Sequence, residues 1–306
     1  MSNATTRTQT RTLDVSRDEE RSMAGWNLLH SVSAELLLLR KRTATWVLLG
    51  LWATLTVFFA YVLPYVDYNN ASGPRAQDLL SDLVPGSLVT NVIVGFPFFG
   101  GTFAIMLGVL SVGSEYGWET LKTLFTQRPG RLQVFASKLL ALGIVLLPFV
   151  LISFAVGAVA SGGVAYQEGA SIDWPSVGLL VRGVLAGWLI MLAWTAFGVI
   201  LAIATRGTSL AIGIGILYTL VVEGLLSAIA GQVSFLEPIV EFFVRANAYS
   251  LTRGLGVAAD ATSENGPGAY NGPWVDSIQA AIVLGVYIAV FLGISAFLLR
   301  RRDVSG

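Results

Sequence analysis

The sequence predicts an all-α integral membrane protein with six transmembrane helices, an N-terminal amphipathic interfacial helix, and a short cytoplasmic helix between spans 2 and 3. Three observations carry this. Mean hydropathy is +0.70, with 54% hydrophobic and 12% charged residues among 306, which lies outside the composition of soluble domains. Six segments, at about 45–66, 87–113, 139–165, 178–204, 208–231 and 277–299, are nearly free of charge. About 20 apolar residues cross a hydrocarbon core of about 30 Å, so each is long enough to span. Buried helices of a large soluble protein would keep polar faces, and these segments have almost none.

Residues 1–24 are rich in Thr, Arg, Asp and Glu without an apolar run. They read as a disordered cytoplasmic tail rather than a cleavable signal, and residues 25–306 read as one six-span domain. Trp26, Leu29, Val32, Leu36 and Leu37 then recur at helical spacing ahead of Arg40, Lys41 and Arg42. An amphipathic helix in the inner interface is expected there, its basic end near anionic headgroups. His30, the one histidine, sits on this helix as a surface residue.

Charge sets the orientation. With six spans both termini share a side, and that side, leaving out the tail, carries Arg40, Lys41, Arg42, Lys122, Arg128, Arg131, Lys138, Arg206, Arg300, Arg301 and Arg302. The other side has Arg75, Arg245 and Arg253. Eleven against three places both ends in the cytoplasm.

Span 2 contains Pro97, Gly100 and Gly101. Proline lacks an N–H and glycine tolerates unusual torsions, so a helix break is expected, serving either a substrate path or packing. Gly157, Gly198, Gly213 and Gly215 read as close-packing positions. In the segment after span 5, Glu237-Pro238 suits a helix start. Ile239, Val240, Phe242, Phe243, Ala246 and Tyr249 would form its apolar face on, or partly into, the outer surface. Residues 258–274 read as a loop.

Several chemistries are excluded. None of the lysines, Lys41, Lys122 and Lys138, follows a glycine, so no phosphate-binding loop of the Walker A type exists. One histidine and no cysteine argue against a zinc hydrolase and exclude disulfides. Catalytic, metal and cofactor residues are accordingly assigned to none, and zero formal charge gives no case for nucleic acid.

Two ionisable residues fall inside spans. Arg182 and Glu223 lie 6 to 7 residues from the outer ends of spans 4 and 5, hence about 9–10 Å deep. Matched depth predicts an intramembrane pair facing the bundle interior, serving as a brace or in transport.

The charged island between spans 2 and 3 is the most specific feature. On a helix, Glu115 and Glu119 share a face with Lys122 beside it, while Leu121, Leu124 and Phe125 form an apolar knob. Pro129-Gly130 makes a turn, and Arg131 and Lys138 mark re-entry. A knob with a charged rim suits a groove on a soluble partner as well as it suits a solvated interface.

This island resembles the first cytoplasmic loop of ABC-2 type transporter permeases. Glu115, Tyr116, Thr120, Leu121, Lys122, Pro129, Arg131 and Lys138 fit that family's order. Glu119 stands where glycine is common, with Gly117 two residues earlier. The ending Phe297-Leu298-Leu299-Arg300-Arg301-Arg302-Asp303 is similar too, and the resemblance spans about 26–306. It implies the membrane permease subunit of an ATP-driven ABC exporter, in the plasma membrane of a bacterium or archaeon. The partners implied are two separate ATPase subunits, a second permease copy or a related permease, and the lipid bilayer. ATP and Mg would then be bound by the ATPase and not by this chain. The ATPase-coupling helix would comprise Glu115, Tyr116, Glu119, Thr120, Leu121, Lys122, Leu124 and Phe125. The apolar spans favour a hydrophobic or amphipathic substrate. The alternative is a self-sufficient secondary transporter or channel without an ATPase, for which Arg182 and Glu223 are the available coupling groups.

Overall fold

A computed structural model describes residues 28–117, 131–230, 233, 235–257, 270 and 272–301. Six helices among them are long and apolar enough to cross a membrane. They are α2 (Thr43–Asn70), α4 (Pro85–Glu115), α5 (Arg131–Glu168), α6 (Val177–Thr205), α7 and α10 (Ser277–Arg301). The fifth, α7, runs through Ser209–Leu217, Tyr218–Glu223 and Gly224–Ala230. Around them lie α1 (28–41), α3 (Pro74–Leu83), α8 (Glu237–Val240) and α9 (Val244–Arg253). The predicted tail 1–24 lies outside the described residues.

Local chemistry explains several boundaries. Gly73, at φ 66°, turns the chain into Pro74, whose fixed φ opens α3. Ser176 caps α6 by accepting from the Leu179 N–H at 3.3 Å. Arg206 ends α6 in the left-handed region at φ 54°, a conformation usually left to glycine or asparagine. Val32 and Leu39 of α1 are buried and Leu36 packs beside them, whereas Leu29 and Leu37 are exposed. The apolar stripe of α1 is thus divided between the core and its own outer surface.

Three spans widen by one residue in mid-course, over Phe58–Val62 in α2, Phe96–Gly100 in α4 and Tyr218–Glu223 in α7. Proline and threonine account for two of these. Pro97 has no N–H to donate, and Gly100 N–H bonds five residues back to the Gly95 carbonyl at 3.1 Å. In α7 the Thr219 hydroxyl takes the carbonyls of Gly215 (3.2 Å) and Ile216 (3.0 Å), competing with the ladder.

The core centres on α4 against α6. Their backbones touch: a Cβ on Gly108 would press into the Thr195 carbonyl, and one on Gly198 into the Ile105 carbonyl. A Cβ on Gly101 would lie 2.7 Å from the Trp194 indole. Small residues let the two helices approach closely enough for this contact. Gly157 and Gly215 are close-packed as expected, meeting Val92 and Ile105. Gly213 differs, since a Cβ there would meet nothing within 4 Å. The break at Pro97, Gly100 and Gly101 lies within this packed region: Gly100 faces Trp52, and Phe96 stands edge-on to the same indole at 5.1 Å.

Candidate functional site

Two polar clusters lie at different levels of the bundle. The first, at what we term the proximal end, joins α1, α4 and α5. Lys138 is buried, and its ammonium bonds the Glu115 carboxylate at 2.5 Å and the Glu35 carboxylate at 2.9 Å. Beside it Arg42 donates to the Leu110 carbonyl at 2.7 Å. Burial pulls Arg42 below its ordinary pKa while Glu115 and Glu35 pull it back up, and a guanidinium remains a cation throughout. Two cations thus balance two carboxylates, so this buried cluster carries no formal net charge. Glu115 and Lys138 lie in the first and last described stretches flanking residues 118–130. The cluster joins α4 and α5, on either side of those residues, to α1.

Glu115, assigned to the coupling helix from sequence, is buried near the end of α4. Glu119, Thr120, Leu121, Lys122, Leu124, Phe125 and Pro129 lie outside the described residues, as do the side chains of Tyr116 and Arg131. No local signal in the sequence connects Glu35 to Lys138, 103 residues away.

The second cluster surrounds Glu223. The predicted pair with Arg182 is not formed: Arg182 is exposed on α6, whereas Glu223 is 0% exposed. Its two oxygens instead accept the backbone N–H groups of Val244 (3.2 Å) and Arg245 (3.0 Å). Equal depth sets the level of a residue along the helix axis but not the direction it faces, and the wide turn ending at Glu223 changes that direction. Phe243 occupies the N-cap of α9 and has no side-chain acceptor, so the carboxylate from α7 serves as the cap. Asn247 then donates to the carbonyls of Glu241 and Phe243, both at 2.8 Å. Arg245, counted on the outer surface from sequence, is 4% exposed and lies over the Phe98 ring at 5.2 Å. Tyr249 stacks on Tyr270 at 4.7 Å.

Phe98 lies 13 residues into α4, about 20 Å along a helix, so α9 re-enters the bundle to near mid-depth. The expected single helix from Glu237 is therefore two pieces, with Ile239 and Phe242 exposed and Val240, Ala246 and Tyr249 buried. At the far end the Tyr65 and Tyr68 hydroxyls donate to one carboxylate, that of Glu168, at 2.7 and 2.8 Å. This ties α2 to α5 where both helices end.

Six apolar spans with a helix re-entering between the last two define a multi-pass helical membrane protein. The family model for ABC-2 family transporter proteins matches residues 32–304. The chain therefore belongs to the ABC-2 transporter family, as a membrane-embedded transport protein. No curated protein matched it.

Proposed function

We propose that this chain is the permease subunit of an ATP-driven ABC exporter, working with two copies of a separate ATPase and moving a hydrophobic or amphipathic molecule. The observation that carries the reading is the family match, which runs across all six spans. The chain itself has no Walker A lysine, so ATP and Mg belong on the partner. Residues 115–126 are the ATPase-coupling element in this reading, with Leu121, Leu124 and Phe125 as the knob. The Glu35–Lys138–Glu115 cluster supports it, because it joins α4 and α5, on either side of residues 118–130, to α1, so a push there reaches three helices at once. Coupling requires the ATPase to bind one permease conformation better than another.

The exposed apolar faces of α2, α7 and α10 suit lipid and a second permease copy alike. On α10 they recur as Ile278, Ile282, Val286, Val290 and Ile294. The positive side, with both termini, faces the cytoplasm in this reading.

Affinity purification of the tagged chain from its native host in mild detergent tests the proposal. A stoichiometric ATPase bearing a Walker A motif is expected, and Phe125→Asp should abolish its recovery. Reproducible absence of an ATPase from intact, folded protein would favour a self-sufficient transporter.

A further inference from the structure

The start of α6 lies at the distal end of the bundle, away from the proximal cluster, since Gly183 near that start packs on Val89 near the start of α4. Val181 and Leu185 are exposed on α6 there, and Arg182 is exposed between them. Among the described residues the Arg182 side chain enters no hydrogen bond or ion pair. A cation on an apolar, exposed stretch of a span is costly unless its head reaches the headgroups or meets an anion.

The level of Arg182 allows both. The 29 residues of α6 make a helix about 43 Å long. A hydrocarbon core of about 30 Å leaves about 6 Å of it among the headgroups at each end. Arg182 lies five residues beyond Val177, about 7 Å from the distal end, hence at the boundary of hydrocarbon and headgroups. Helix side chains lean toward the N-terminus, which in α6 is the distal end. The arginine stem can therefore run along apolar surface while the guanidinium rises toward the phosphates. Trp174, just before α6, and Tyr166, near the end of α5, are exposed at the same end, as in the aromatic belt of a membrane interface.

We propose that Arg182 is a lipid-phosphate site, binding the headgroup of an anionic phospholipid in the distal leaflet. A guanidinium presents two parallel donors to a pair of phosphate oxygens, and the acyl chains of the same lipid lie along Val181 and Leu185. The inference stands apart from the transport reading, and its test needs neither ATPase nor substrate.

The chain has no cysteine, so a single cysteine reports without background. Gly178 is exposed, a Cβ there would meet nothing within 4 Å, and it stands one turn before Arg182 on the same face. Gly178→Cys, carrying a maleimide-linked fluorophore, is reconstituted in phosphatidylcholine vesicles with a minor fraction of lipid bearing a nitroxide on its acyl chain. That lipid is phosphatidylglycerol in one series and phosphatidylcholine in the other. Quenching should show a preference of about fivefold for phosphatidylglycerol. Arg182→Gln should abolish the preference, and Arg182→Lys, still a cation, should retain it. Equal quenching by the two lipids, or a preference that survives Arg182→Gln, would overturn the proposal. A label that neither lipid quenches would place this face against protein and overturn it too. Inorganic phosphate tests the other source of the same chemistry. If it removes the preference where sodium chloride of equal ionic strength does not, the site takes free phosphate and the lipid assignment falls. Thermal unfolding in detergent checks each variant, and failure of Arg182→Gln to fold would also overturn the proposal, because an exposed lipid contact does not hold the bundle together.

Discussion

Lys138→Met removes the cation that bonds Glu35 and Glu115, leaving two carboxylates in a site where the lysine and glutamate side chains are 4%, 12% and 9% exposed. Breaking a buried ion pair from one side costs about 3–5 kcal/mol, because the remaining charge stays desolvated. Two effects work against each other here. A second carboxylate adds repulsion, while Arg42 nearby and the partial exposure of Glu35 relieve it, so the same range of about 3–5 kcal/mol is expected. Thermal unfolding in detergent, followed by the fluorescence of the eight tryptophans, reads the change. The triple variant Lys138→Met, Glu35→Gln, Glu115→Gln removes all three charges and should recover at least half of the loss, since coupled residues are not additive. Parental Tm in Lys138→Met, or a triple variant less stable than the single, would refute the account of a buried, mutually compensated cluster.

Other outcomes follow from the same geometry. Gly198→Ala pushes a Cβ into the Ile105 carbonyl and should cost about 1–3 kcal/mol by overpacking, read as a lowered Tm; Gly213→Ala, with open space around it, should leave Tm unchanged or slightly raised. Arg182→Ala should leave stability within about 0.5 kcal/mol of the parent, because its side chain is exposed on α6. A Tm drop comparable to that of Lys138→Met would show that Arg182 has a buried partner after all. Replacing both Tyr65 and Tyr68 with phenylalanine removes the hydroxyls that hold Glu168 and should loosen α2 from α5, seen as faster cleavage by an added protease in the segment 169–176.

The spans were legible in the amino-acid sequence because each is a property of contiguous residues: hydropathy sums along one segment. Glu223 was visible in the same way, as a carboxylate in an apolar run that requires a partner. Its partner was not visible. Depth along a helix follows from residue number, whereas the direction a residue faces depends on every turn before it, and the widened turn at Tyr218–Glu223 redirects the carboxylate to α9. Arg245 was missed for a related reason, since a single arginine in a polar-to-apolar stretch resembles surface charge until the helix bearing it is seen to re-enter the bundle. The joining of Glu35, Glu115 and Lys138 depends on three helices brought together from distant parts of the chain. What the sequence alone determined was therefore which segments leave water, because transfer free energy is local and additive. Which polar groups meet inside was decided by the tertiary structure, because a buried charge takes whichever partner helix packing brings within hydrogen-bond reach.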